Sequence, residues 1–333
     1  MVSVILNQRF KMKKLYPWLA SLAFLCPSAS FSATTAYYTN LFDTFITVLN
    51  VDTKTITGAI DVDSGSYAIV FSPDGSKAYV SSSQKKQITV IDTATEAAIA
   101  QIAIPEVAQQ LALSPNGERL YAPATKNQSI FVIDTATNIL VATVAVDDVP
   151  TSVAVTPDNS TAYVTYGTTN QVVAFDTTSN TLIPALSIDV GKDPSYIAIL
   201  PSGTKAYVCN IYDSYLSVID LASNTKIKEI PVGPSPQFIT IASDSLAYVS
   251  SYSAGTVSVI NTDDDTSLKS IPTGGRPMAM ALTPDQTQLY VTSFDPTGPN
   301  IVTIDTETEL PTTLISGEGN GTTGIAIAVV PDP

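Results

Sequence analysis

Residues 194–232 read PSYIAILPSGTKAYVCNIYDSYLSVIDLASNTKIKEIPV. Tyr196–Leu200 is an apolar run, and Pro201-Ser202-Gly203 is a turn signal. Ala206–Asn210 is a second apolar run, Leu216–Asp220 a third, and Lys226–Val232 a fourth that alternates polar and apolar residues. Proline presets φ at the start of a turn, and glycine tolerates the positive φ that closes it. The first three runs carry apolar residues on both faces, as strands buried on both sides do; the fourth has one wet face. The segment therefore reads as a four-stranded antiparallel meander running from a buried strand to an exposed one.

The same text recurs through the chain. Tyr37, Tyr79, Tyr121, Tyr163, Tyr207, Tyr248 and Tyr290 each sit in the second strand of such a unit, at spacings of 42, 42, 42, 44, 41 and 42 residues. A period in the forties built from four short strands is the signature of a β-propeller. The expected architecture is all-β: one seven-bladed β-propeller over 33–333, with four-stranded blades. Ala36-Tyr37 opens on a second strand with no inner one before it, and Gly324–Val330 is an inner strand with no partners after it. The C-terminal inner strand is expected to join the N-terminal strands and close the ring, which removes free sheet edges.

The turns repeat with the strands. Pro73-Asp74-Gly75, Pro115-Asn116-Gly117, Pro157-Asp158-Asn159, Pro201-Ser202-Gly203 and Pro284-Asp285-Gln286 close the inner hairpins. Asp52, Asp92, Asp134, Asp176, Asp220, Asn261 and Asp305 mark the outer hairpin, usually before Thr. Carboxylates in equivalent places of six of the seven repeats read as Asx turns, which accept a backbone amide just ahead, rather than as acids or metal ligands. Cys209 falls where other repeats have Thr39, Ser81, Thr165, Ser250 and Thr292, so a small buried strand residue is expected there.

Tyr38-Thr39-Asn40, Tyr163-Val164-Thr165, Tyr207-Val208-Cys209-Asn210 and Tyr290-Val291-Thr292, with the Val-Ile-Asp-Thr and Ser-Pro-Asp-Gly texts around them, resemble the YVTN family of seven-bladed propellers. The resemblance covers about residues 36–331. It implies the fold, and membership of a group that includes exported and cell-surface proteins; the matched motifs are strands and turns and imply no activity.

Residues 1–32 read as a signal peptide. Met12-Lys13-Lys14 gives a basic start, with Met12 the better initiator. Leu15–Leu25 is an apolar run too short to span a bilayer, and Ser30-Phe31-Ser32 offers small residues before a cleavage ahead of Ala33. An exported protein is expected, periplasmic or secreted to the cell surface, with no membrane insertion. Cleavage takes four of the 16 basic residues and none of the 30 acidic ones, moving the formal charge from −14 to about −18. Such a surface repels phosphate backbones, so no nucleic acid is expected as a partner.

The chain contains no histidine. That removes Ser-His-Asp triads, histidine haem ligands and the common zinc sites. No cofactor and no metal is expected. Thr262-Asp263-Asp264-Asp265-Thr266 lacks the Gly and distal Glu of a calcium loop and reads as a solvated hairpin. What the repeat does not explain lies at the start of the inner strands and in the loops after the tyrosine strand. Tyr67, Gln109, Gln110, Ser152, Tyr196, Gln237, Phe238 and Arg276 vary from blade to blade there, with Asn40, Tyr166, Asn210 and Tyr252 expected on the same rim. Amides and aromatics converging on a concave rim suit a ligand. The expected function is a monomeric, exported, non-catalytic binding or interaction module for a protein, peptide or envelope glycan. The alternative is a metal-assisted hydrolase or lactonase-like enzyme, using Asp63, Glu106, Asp147, Asp148 and Asp193 from four inter-blade connections.

Overall fold

The computed structural model describes residues 34–295, 300–316 and 321–330, so the expected signal segment lies outside the described residues. Seven four-stranded antiparallel sheets form the propeller. Blade 1 is Thr322–Val329, Thr34–Asn40, Phe45–Asn50 and Thr55–Asp61. Blades 2 to 7 follow in chain order, their inner strands at Ser66–Phe71, Ala112–Leu113, Pro150–Val155, Pro194–Ile199, Pro236–Ile241 and Pro277–Leu282. The C-terminal strand pairs antiparallel with the N-terminal one, Tyr37 opposite Ala326, and closes the ring as expected.

Core packing follows the repeat. Tyr37, Tyr79, Tyr121, Tyr207, Tyr248 and Tyr290 are all at most 1% exposed, which is why the position is aromatic in every blade. Several of their hydroxyls reach the outer hairpin of the next blade: Tyr79 donates to the Thr135 carbonyl (3.4 Å), Tyr207 to Thr262 (3.3 Å) and Tyr290 to Val51 (3.1 Å). Tyr207 also donates to Asp265 at 2.6 Å, and Asp265 pairs with Lys205 at 2.8 Å. The acidic hairpin loop is thus used to lock blade 5 to blade 6.

The repeated carboxylates are spent on turns. Asp92, Asp134, Asp220 and Asp305 each accept the amide N–H three residues ahead, at 2.7–2.9 Å. The hydroxyls of Thr95, Thr137, Ser223 and Thr308 donate to the same carboxylates, and hydroxyl and amide bonds together hold them below the usual range. One expectation is corrected: in blade 1 the capping residue is Asn50, whose Oδ1 accepts from the Thr53 N–H (2.8 Å), and not Asp52. Asn50 is the residue that ends the third strand, opposite Thr55, as Asp92 does opposite Ala97. The threonine that follows the aspartate has its own task. Thr93, Thr135 and Thr262 donate to the carbonyls of Gly75, Gly117 and Asp244, tying the outer hairpin to the inner one.

A belt of hydroxyls knits the inner strands together. Thr39 accepts the Gly324 N–H (2.8 Å) in its own blade and donates to the Tyr67 carbonyl (2.8 Å) in the next. Ser81 repeats this with the Ala68 N–H (3.0 Å) and the Gln109 carbonyl (2.5 Å). Thr165 and Thr292 accept from Ser152 and Ala279, and Ser250 donates to Met278. The belt has two non-hydroxyl positions, Cys209, fully buried as expected, and Pro123. Pro123 has neither hydroxyl nor N–H, and proline in a central strand removes a ladder bond. The consequence is local: the inner strand of blade 3 shrinks to Ala112–Leu113, and residues 107–111 leave the ladder.

Candidate functional site

The inner strands begin around one mouth of the central channel. A pocket there is lined by residues from six blades, among them Tyr67, Gln110, Tyr196, Gln237 and Phe238. Five of the rim residues expected from the sequence therefore meet. Register explains which ones do. Ala68, Gln110, Ser152, Tyr196, Phe238, Ala279 and Gly324 occupy one level of the inner strands, two residues before the position that faces the repeat tyrosine. At that level blades 5 and 6 carry aromatics, and blades 7, 1 and 2 carry Ala279, Gly324 and Ala68. The two aromatics stack on each other, centroids 4.0 Å apart and planes tilted 34°, and lean over the small-residue wall. A Cβ on Gly324 would stand 2.6 Å from the Tyr67 carbonyl, so this wall is small because the neighbouring blade comes close.

The aromatics nearly fill the opening. Its free volume is about 60 Å³, well under the roughly 300–1,000 Å³ of a typical metabolite pocket. Burial pushes the Tyr67 and Tyr196 phenols up, so both stay neutral. Thr323, one level above Gly324, also lines the mouth and was not singled out from the sequence. Its equivalence to Tyr67 depends on the register of the terminal strand, which only the ring closure defines.

Other expected rim residues lie elsewhere. Asn40 and Asn210 are fully buried. Their Nδ2 groups donate to the carbonyls of Phe45 and Tyr215 and to the hydroxyls of Thr47 and Ser217, which places them inside the middle hairpins as struts rather than on the rim. Tyr166 is a core residue whose hydroxyl accepts the Asp147 N–H (3.3 Å). Ser152 is buried, and its N–H is bonded to Thr165. Gln109 is exposed but does not line the mouth, and its carbonyl is held by Ser81. Tyr252 and Arg276 form a separate cleft between blades 6 and 7, the guanidinium 5.6 Å from the ring centroid.

The carboxylates of the enzyme alternative do not gather. Asp63 accepts from Gln87 and Gln101, and Glu106 pairs with Lys86 at 3.0 Å. Asp148 is buried; burial alone would raise its pKa, but bonds from Thr169 and Val149 hold it below the usual range. Burial raises Asp193. Among the described residues no three carboxylates or thiols come together as a metal-holding group.

The comparisons agree with this fold. A family model described as lactonase, 7-bladed beta-propeller, matches residues 160–313, just under half of the chain. No curated protein matches. A functionally unknown protein from Desulfotomaculum acetoxidans DSM 771 superposes with a TM-score of 0.80 at 18% identity, over 90% of this chain and 100% of that one. Hydrazine synthase from Kuenenia stuttgartiensis gives 0.70 at 19% identity, over 79% and 89%. The dihydro-heme d1 dehydrogenase NirN, in complex with DHE, gives 0.66 at 15% identity, over 87% and 74%. At these identities the likeness is one of fold. The class defined by blades, closure and family match is the seven-bladed β-propeller.

Proposed function

We propose that the protein is an exported binding module whose ligand docks at the axial mouth. The observation that carries this is the convergence of Tyr67, Gln110, Tyr196, Gln237 and Phe238, from four different blades, on one opening. The fold does not ask for these residues: the level of Gln110, Tyr196 and Phe238 holds Ala68, Ser152, Ala279 and Gly324 in other blades, and that of Tyr67 and Gln237 varies from Ser and Thr to Met. Aromatics and amides unneeded by the repeat are what a contact surface uses. Export rests on the N-terminal basic and apolar segment and on the resemblance to the YVTN family. Affinity capture from the envelope fraction tests the reading, with full-length protein against Gln110→Ala/Gln237→Ala as bait. A ligand lost with the double variant supports it; one retained equally by both sinks it.

A second reading is favoured by the family match: a lactonase-type enzyme. In a chain without histidine, its acid-base groups would have to be carboxylates or phenols. Hydrolysis of simple aldonolactones, with and without added divalent cation, separates the two. Turnover above the spontaneous rate that is lost on substituting a channel residue favours the enzyme.

A further inference from the structure

We propose that the axial mouth holds the end of an uncharged saccharide, stacked on the Tyr196–Phe238 pair and hydrogen-bonded by the Gln110 and Gln237 side-chain amides and by the Gln110 main-chain N–H, which Pro123 leaves unpaired. The inference rests on the mouth being the binding site, and it names the class of ligand.

The first argument is charge. The chain carries 46 charged residues, yet none of the residues lining the mouth is Asp, Glu, Lys or Arg. A charged ligand entering this opening would shed hydration and meet no counter-charge, a desolvation cost that an uncharged one avoids. Phosphorylated sugars, uronates and basic peptides are disfavoured on this ground.

The second is the kind of polar group present. The Gln110 and Gln237 side chains each offer both a donor and an acceptor. That suits hydroxyls, which do both. The aromatic pair supplies apolar ring surface at the opening for the C–H face of a pyranose. The free volume of about 60 Å³ falls short of the roughly 150 Å³ that admits a benzene ring, so a bulky side chain of a peptide does not fit. An exocyclic hydroxymethyl or acetamido group does, with its ring resting outside on the aromatics.

The third is the main chain of blade 3. At the level of Gln110 the N–H in blades 1, 2, 4 and 7 is taken by the hydroxyl of Thr39, Ser81, Thr165 or Thr292. In blade 3 the hydroxyl position is Pro123, and among the described residues no group accepts from the Gln110 N–H. An N–H without a partner at the edge of a half-buried opening is satisfied by water or by a ligand. Pro123 thus acts as a positioning residue: it touches no ligand, but it turns a structural donor into an available one.

The test is calorimetric titration of the full chain with neutral oligosaccharides (hexamers of glucose, mannose and N-acetylglucosamine), with oligogalacturonate and chitosan oligomers as charged comparators and with neutral peptides of similar length. At least one neutral saccharide should bind, with the charged saccharides at least about tenfold weaker. Pro123→Thr restores the missing hydroxyl. It should weaken binding several-fold, roughly the scale of one hydrogen bond, while leaving the melting midpoint unchanged or higher. If that variant does not fold, Pro123→Ser, which supplies the same hydroxyl on a smaller side chain, carries the same test. Binding of charged saccharides as tight as neutral ones overturns the proposal, as does neutral-saccharide binding indifferent to both variants. No neutral saccharide binding at all also overturns it. The mouth itself is refuted only if a captured partner ignores Gln110→Ala/Gln237→Ala, so the two failures are distinct.

Discussion

The Tyr290 hydroxyl donates to the Val51 carbonyl at 3.1 Å, joining blade 7 to blade 1 across 239 residues of sequence. The same bond joins blade 2 to blade 3 and blade 5 to blade 6, so the seam between the two ends of the chain is built like an interior blade junction. Closure is not a loose overlap of termini. The terminal strand supplies the ladder, and the repeat tyrosine supplies the cross-blade contact. Burial pushes the Tyr290 phenol up to about 12, with Asp52 adding to the effect.

Tyr290→Phe removes this bond and keeps the ring. A loss of about 1–3 kcal/mol is expected, the range for leaving a buried carbonyl unpaired. Tyr290→Ala should cost about 3–5 kcal/mol, as large-to-small changes of buried aromatics do. Denaturant midpoints of the two variants check this. A Tyr290→Phe midpoint unchanged from the parent would mean that the hydroxyl contributes nothing at the seam.

Gly324→Ala places a methyl 2.6 Å from the Tyr67 carbonyl, a backbone atom with little freedom to move. Overpacking at this level should destabilise by about 1–3 kcal/mol. Gly58→Ala, whose nearest neighbour is a side-chain oxygen at 3.7 Å, is the control and should be close to neutral. Thermal melts of both decide it.

Acid should unfold the protein through its turns. The folded pKa values of Asp92, Asp134, Asp176, Asp220 and Asp305 lie below the ordinary value of 3.8. Depressed carboxyls contribute stability that is present above the unfolded pKa and lost as pH falls through the folded one. The melting midpoint should therefore hold steady from pH 8 to about 5 and drop below about pH 4. Asp134→Asn keeps the acceptor without the titration, so its acid slope should be shallower than that of the parent protein. At the alkaline end the sign reverses. Tyr79 and Tyr290 are raised from 10.0 to about 12, so their contribution is whole below pH 10 and is lost as pH climbs towards 12. The share of phenolate absorbance that Tyr79→Phe or Tyr290→Phe removes should rise together with unfolding, not before it.

Tyr196→Leu with Phe238→Leu removes the stacked pair and keeps apolar bulk. Tyr196 packs beside the blade 5–6 core and Phe238 beside two clusters, so some stability is lost. An aromatic pair is worth about 0.5–1.5 kcal/mol beyond its area, and the loss should stay near that, well below Tyr207→Ala. Ligand binding should fall by about 2 kcal/mol or more, the scale of a hot spot. Side-by-side melts and titrations separate the two effects.

The fold was legible because seven repeats state it seven times. Tyrosines at a 42-residue period, turn prolines and Asx caps each have one physical task, repeated. The shift from Asp52 to Asn50 shows the limit of text matching: the cap belongs to the residue that ends the strand, and only pairing to Thr55 identifies it. Asn40 and Asn210 misled for a related reason. A polar residue after a strand can face solvent or brace the hairpin beneath it, and periodicity does not distinguish the two. Gln110, Tyr196 and Phe238 are legible because they break the repeat where other blades hold Ala, Gly or Ser, and Tyr67 and Gln237 because their level varies from blade to blade. Pro123 was equally visible, in Leu-Tyr-Ala-Pro-Ala, but its effect on Gln110 in a different strand needs the register.

The most direct test of the binding mouth is site-specific photo-cross-linking in the envelope fraction. A photoreactive side chain is placed at Gln237, on the mouth, or at Asn159, in an inner-hairpin turn at the opposite end of the strands. A discrete adduct is expected at Gln237 that disappears when Tyr196→Leu and Phe238→Leu are added, and none at Asn159. An adduct at Asn159 with none at Gln237 would contradict docking at the mouth.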